Sequence, residues 1–160
     1  MKLDLDKVEA LLREAAETEV MPRFRRLEKH EVSEKKPGDL VTAADLGVER
    51  FLSACLPDLV AGSKVVGEEG VHADPTILAR IAEEAPVWIV DPIDGTANFA
   101  DGKALFAIQL AYVERGTTCA AWIFDPAGQR IAVAERGAGA WIDGQRAPVP
   151  SSMGFDDMRG

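Results

Sequence analysis

The run Trp88-Ile89-Val90-Asp91-Pro92-Ile93-Asp94-Gly95-Thr96 constrains the fold of this chain more than any other segment. It begins as an apolar, β-branched strand of the kind that lies inside a sheet, and such a strand needs hydrogen-bonded neighbours and covered faces. It then delivers two carboxylates around a proline, ahead of a Gly-Thr turn. Carboxylates held close repel each other, and a protein relieves this by sharing a proton between them or by binding a cation. Magnesium suits the second remedy, being a hard ion that takes carboxylate, carbonyl and water oxygens. Pro92 fixes the backbone between the acids, so the carbonyl of Ile93 can act as a third oxygen ligand. Gly95-Thr96 can then open a turn or helix whose free N–H groups face a phosphate. The plain alternative is an Asp-Pro turn with Asp94-Gly95 as ordinary turn residues.

The flanking sequence supplies the neighbours. Leu105 to Glu114, Thr118 to Phe124 and Arg130 to Glu135 are β-type runs separated by Arg115-Gly116, Asp125-Pro126-Ala127-Gly128 and Gly137-Ala138-Gly139. They predict hairpins of an antiparallel sheet, and Ala140-Trp141-Ile142 before Asp143-Gly144 predicts one more, with a type I′ turn. Upstream, Leu5, Val8, Leu11, Leu12, Ala15 and Ala16 recur at helical spacing, predicting an amphipathic helix from Leu5 to about Lys29 that Pro22 kinks or divides. Glu31 to Asp39 reads as a loop or a pair of edge-strand residues. Thr42 with Asp45 has the form of a capping box opening a second helix, which Pro57 ends. Ser63 to Val66 reads as a short strand leading into Gly67-Glu68-Glu69-Gly70, Thr76 to Glu84 as a short helix, and Pro86 to Val90 as the strand that feeds the acidic turn. Helices first and a meander afterwards imply an α+β layered helix–sheet domain, with a mainly antiparallel sheet and two N-terminal helices on one face.

At 160 residues there is room for one ordinary domain, and 47% hydrophobic content supplies its core. The net charge of −9 argues against nucleic-acid or anionic-membrane binding. The first residues carry charges at every step, so no signal-peptide core is present, and the longest apolar run falls short of the roughly 20 residues that span a bilayer. Cys55 and Cys119 lie far apart without a CxxC and read as buried, reduced thiols. These features together point to a cytoplasmic protein. His30 and His72 read as surface residues, Trp122 and Trp141 as sheet packing, and Arg23, Arg25 and Arg26 as the solvated face of the first helix.

Two further acids stand near strand or helix ends. Glu68-Glu69 follows a predicted strand, where one Glu can complete a cation shell or simply face solvent. Asp45 can act chemically or can merely complement the helix N-terminus. Together, Asp39-Leu40-Val41-Thr42-Ala43-Ala44-Asp45, Gly67-Glu68-Glu69, Trp88 to Phe99 and Gly137-Ala138-Gly139-Ala140 resemble the inositol monophosphatase family, magnesium-dependent and lithium-sensitive phosphatases. The resemblance implies the first lobe of the sugar-phosphatase fold. It makes Glu68, Asp91, the carbonyl of Ile93 and Asp94 ligands of Mg2+. It gives Asp45 and Thr96 the task of orienting and deprotonating a water, and the Gly95 and Thr96 amides that of holding phosphate. The implied reaction is hydrolysis of a small phosphate monoester, such as inositol 1-phosphate, by a metal-activated water. A nucleotide 3′-phosphate, histidinol phosphate or a sugar bisphosphate are alternative substrates, and a non-catalytic oligomerisation or regulatory module of the same fold is the alternative role.

Two departures from the family pattern stand out. The position of the family lysine holds Glu34, and a one- or two-residue shift of the loop would let either Lys35 or Lys36 beside it serve instead. The second lobe of such enzymes has no counterpart here, so residues 1–150 are expected to form the first lobe and 151–160 a linker or frayed tail. A lobe without its partner is expected to hydrolyse slowly and to expose an apolar face, favouring a homodimer or other self-association.

Overall fold

The computed structural model describes residues 3–148. The expected linker, 151–160, lies outside the described residues. The chain folds as an α+β layered domain, with a two-stranded ribbon beside a seven-stranded sheet. The first helix, α1 (Leu5–Ala15), is capped by the Asp4 carboxylate on the Lys7 N–H. It continues as one π-helical stretch, Ala16–Val20, and stops ahead of Pro22. The helix therefore ends well short of Lys29, because a proline ring clashes with the preceding turn. The ribbon pairs β1 (Val32–Lys36) with β2 (Asp39–Thr42) where a loop or edge residues were expected.

Helix α2 (Ala43–Leu59) opens on the expected capping box, Thr42 with Asp45. It runs through Pro57, which was expected to end it. In the last turn the missing N–H affects one carbonyl, that of exposed Ser53, while fully buried Leu56 pins the turn to the core. Then come β3 (Lys64–Gly67), the short helix α3 (Glu68–Ala73), a 3-10 segment (Pro75–Ala82) and β4 (Val87–Asp94). After α4 (Thr96–Ala100), the meander comprises β5 (Ala107–Glu114), β6 (Thr117–Asp125), β7 (Arg130–Glu135), β8 (Gly139–Ile142) and β9 (Gln145–Arg146). The strands lie in chain order, β3 parallel to β4 and every later pair antiparallel. Asp143 and Gly144 both have positive φ, 51° and 76°, as a type I′ turn requires.

Strand alternation divides the sheet. Trp88, Val90, Ile108, Leu110, Trp122 and Phe124 point to one face, where Val8 and Leu12 of α1 and Val48 and Leu52 of α2 bury them. Trp88 anchors this layer, its ring centroid 4.6 Å from Tyr112 and its indole N–H donating to Ser63 Oγ at 3.1 Å. The opposite face carries Ile89, Ala111, Ala121 and half-exposed Ile123, uncovered by any described helix.

Smaller expectations need correction. Cys55 and Cys119 are free thiols but only partly buried, and Trp141 is half-buried beneath the Arg146 guanidinium. Trp122 packs as expected. Arg23 is not simply solvated, because it pairs with Glu19 and Glu31, and Arg25 lies over the Phe24 ring and donates to the Gly102 carbonyl. Of these partners Glu19 and Phe24 are local, whereas Glu31 and Gly102 come from beyond the helix end. No helix among the described residues is long and apolar enough to cross a membrane.

Candidate functional site

The candidate residues gather where β3 and β4 end side by side. The parallel register sets Gly67 against Val90, so Glu68, the first residue past β3, emerges beside Asp91 in the second half of β4. In a regular strand, residues three apart face opposite sides. Asp91 pairs with Gln109 and Asp94 with Ala107, so β4 spends one residue more than β5 across this interval. That bulge returns Asp94 to the side of Asp91 and accommodates Pro92, which has no N–H for a ladder. The bulge between the acids is thus what lets one strand present both.

Gly95 follows with φ of 90°, and a Cβ there would lie 2.9 Å from the Leu105 carbonyl oxygen. The turn carries Thr96 back over the strand end, where its hydroxyl lies 2.9 Å from the Ile93 carbonyl and 3.0 Å from Asp45 Oδ1. Asp45 itself is almost wholly buried, and its Oδ2 accepts the Thr42 N–H at 2.8 Å and the Thr42 hydroxyl. Burial pushes the Asp45 carboxyl above the usual carboxylate range, while the hydrogen bonds from Thr42 and Thr96 act in the opposite direction. Asp94 is exposed and accepts the Gln109 side-chain amide at 2.7 Å.

Asp91 is the most perturbed acid. Its Oδ1 is buried and finds no hydrogen-bond partner among the described residues. Burial first, then the neighbouring charges of Glu68 and Asp94, pushes its pKa up to about 7. Lys35 opposes this concentration of charge. Its ammonium, on a side chain only 5% exposed, lies 2.8 Å from Glu68 Oε1, 3.0 Å from Glu69 Oε1 and 3.7 Å from Asp39 Oδ1. Burial alone would lower the lysine pKa, but the pairing with Glu68 and Glu69 outweighs it and holds the charge. Lys36 and Glu34 are exposed, and Glu34 instead accepts the Gly38 N–H. Lys35 is therefore the basic residue of this loop that reaches the acids.

Glu68 and Glu69 open α3 rather than sitting on a loop, and the α2 residue Glu49, which sequence reasoning missed, accepts N–H bonds from Glu69 at 2.8 Å and Gly70 at 2.7 Å. Burial pushes the Glu49 carboxyl upward against those bonds. The oxygen-only donor set and the orphaned Asp91 oxygen fit a hard divalent cation. Among the described residues no three acid, His or Cys side chains enclose an ion as they stand, and Glu68 is engaged by Lys35. His30 and His72 are exposed as expected, though they lie on a 3-10 turn (Lys29–Glu31) and on α3 rather than on loops.

This α+β architecture, with acids at the ends of adjacent strands and a Thr-Asp pair beneath them, defines a class of layered domains built around a polar strand-end site. By its sequence the chain belongs to the inositol monophosphatase family, whose pattern matches residues 3–156. An inositol-1-monophosphatase of Rhizobium meliloti is 35% identical over 134 residues, covering 84% of this chain and 48% of that protein. A Thermotoga maritima protein named fructose-1,6-bisphosphatase/inositol-1-monophosphatase is 33% identical over 129 residues, 79% of this chain and 47% of its own length. The solved Thermotoga maritima IMPase superimposes with a TM-score of 0.77 at 32% identity, covering 92% of this chain and 54% of that one. The chain spans about half the length of the curated relatives it matches.

Proposed function

We propose that this chain carries the metal- and phosphate-handling part of a magnesium-dependent phosphatase acting on a small phosphate monoester such as inositol 1-phosphate. The observation that carries the proposal is the buried, unpartnered Asp91 Oδ1 beside Glu68 and Asp94. Glu68, Asp91, Asp94 and the Ile93 carbonyl would hold Mg2+, which when bound offsets phosphate charge and makes a nearby water more acidic. Thr96 Oγ receives a proton from the attacking water while passing its own to Asp45 Oδ1, with which it is already hydrogen-bonded. The burial that raises the Asp45 pKa suits it to receive that proton. The Gly95 and Thr96 amides, at the start of α4, hold the phosphate oxygens.

A sugar bisphosphate is the second substrate reading, favoured by the double name of the Thermotoga relative. The protein is placed in the cytoplasm, and copies associate through the bare sheet face around Ile89, Ala111, Ala121 and Ile123. Calorimetric titration of the 160-residue chain with magnesium, followed by phosphate release from inositol 1-phosphate and fructose 1,6-bisphosphate with and without lithium, tests the proposal. Magnesium binding that Asp91→Asn abolishes supports it. Absence of magnesium binding refutes it, and binding without phosphate release from any ester favours a non-catalytic module.

A further inference from the structure

Helix α3 begins without a cap of its own. Its N-cap position is Gly67, which has no side chain, so the Glu69 and Gly70 N–H groups at the second and third helical positions need an acceptor from elsewhere. Glu49 supplies it. One turn beyond Asp45 on the same face of α2, it spans these two N–H groups with its two carboxylate oxygens at 2.8 and 2.7 Å. The space it occupies exists because Gly67 lacks a Cβ, since one built there would collide with the Glu49 carboxylate, and one at Gly70 would lie 3.2 Å from Glu49 Oε1. A single face of α2 therefore grips both halves of the candidate site: Asp45 holds Thr96 at the end of β4, and Glu49 holds the backbone that begins with Glu68 at the end of β3.

We propose that Glu49 is a positioning residue that acts through Glu68, fixing the α3 N-terminus so that the Glu68 carboxylate stands beside Asp91. This rests on the phosphatase reading above, in which Glu68 is a magnesium ligand. The contacts of Glu49 are to the α3 backbone, and it is not counted among the magnesium ligands. Its contribution is to remove the freedom of a one-turn helix joined to the sheet through a glycine. Groups that orient metal ligands typically change metal affinity by about 10–100-fold when lost.

The test compares the unsubstituted chain with Glu49→Gln, Gly67→Ala and Asp74→Ala, using magnesium alone in a calorimeter and amide hydrogen exchange without metal. Glu49→Gln keeps the shape but loses the charge and one acceptor, and Gly67→Ala displaces the carboxylate from the other side. Asp74→Ala removes the cap on Thr76 at the far end of α3 and serves as a control for general loosening. The expected result is faster exchange at Glu69 and Gly70, and magnesium binding weakened by about tenfold or more in both Glu49→Gln and Gly67→Ala. Asp74→Ala should bind magnesium as the unsubstituted chain does. If the unsubstituted chain binds magnesium and Glu49→Gln binds it equally well, or Asp74→Ala weakens binding as much, the role of Glu49 is overturned while the phosphatase reading stands. If the unsubstituted chain binds no magnesium, the phosphatase reading falls and takes this role with it.

Discussion

Replacing Lys35 by Met tests the charge balance of the acidic strand ends. The Lys35 ammonium bridges Glu69, whose side chain is 8% exposed, and Glu68, which is 46% exposed. A charged hydrogen bond in a buried setting contributes about 1.5–3 kcal/mol, so the Glu69 contact is assigned about 2. Glu68 is screened by water and adds about 0.5. Part of this is returned because Met needs no desolvated charge, while the unpaired Glu69 costs more, leaving a net loss of about 2–3 kcal/mol. In a domain of this size each kcal/mol moves the melting temperature by about 2–4 °C, which predicts a drop of about 5–10 °C in metal-free buffer near neutral pH. Magnesium should act in the opposite direction. With no ammonium competing for Glu68, the variant should bind magnesium at least about tenfold more tightly, worth about 1.4 kcal/mol, and so recover part of the lost stability. Thermal melts followed by circular dichroism, with and without magnesium, measure both effects. An unchanged metal-free melting temperature, or a larger magnesium response in the unsubstituted chain, refutes the reasoning.

Asp94→Asn should unfold within about 0.5 kcal/mol of the unsubstituted chain, because Asp94 is exposed, yet lose magnesium-dependent phosphate release from inositol 1-phosphate; equal turnover would remove Asp94 from the ligand set. Asp91, raised by burial and by Glu68 and Asp94 to about 7, stabilises the metal-free fold fully below about pH 4 and loses that contribution as pH climbs toward 7. Melting temperatures across that window should therefore fall less in Asp91→Asn, and parallel curves would show that Asp91 does not titrate there. Gly95→Ala forces a Cβ to 2.9 Å from a backbone carbonyl at φ of 90° and should cost about 1–3 kcal/mol in urea unfolding; a smaller loss would mean the turn relaxes freely.

The strand from Trp88 was legible because apolar residues dense enough to fill a buried sheet announce themselves, and the Thr42–Asp45 box because its spacing is local. Asp143-Gly144 was legible for the same reason, since its turn depends on two adjacent residues. Choosing Lys35 over Lys36 depended on something no local pattern contains, the register shift between Glu34 and Lys36 in the ribbon. A one-residue slip there reverses which side chains face inward. Glu49 was invisible because it looks like any acidic residue on a helix stripe, and its partners are backbone groups some twenty positions away. Pro57 misled because the propensity of a proline is set against the burial of Leu56, and tertiary packing prevailed.

The borders of the large sheet carry a consequence for handling the protein. A strand at a border is a template on which another chain can add its backbone. Along β3, the Arg80 guanidinium donates to the Val65 carbonyl at 3.0 Å and Lys64 pairs with Glu83, so the 3-10 segment occupies that border. At the other side β9 is only two residues long, too brief to seed a growing ladder. Concentrated solutions should therefore resist fibril growth through strand addition, and any clouding should come from stacking of the bare faces, as amorphous precipitate that does not stain with amyloid dyes.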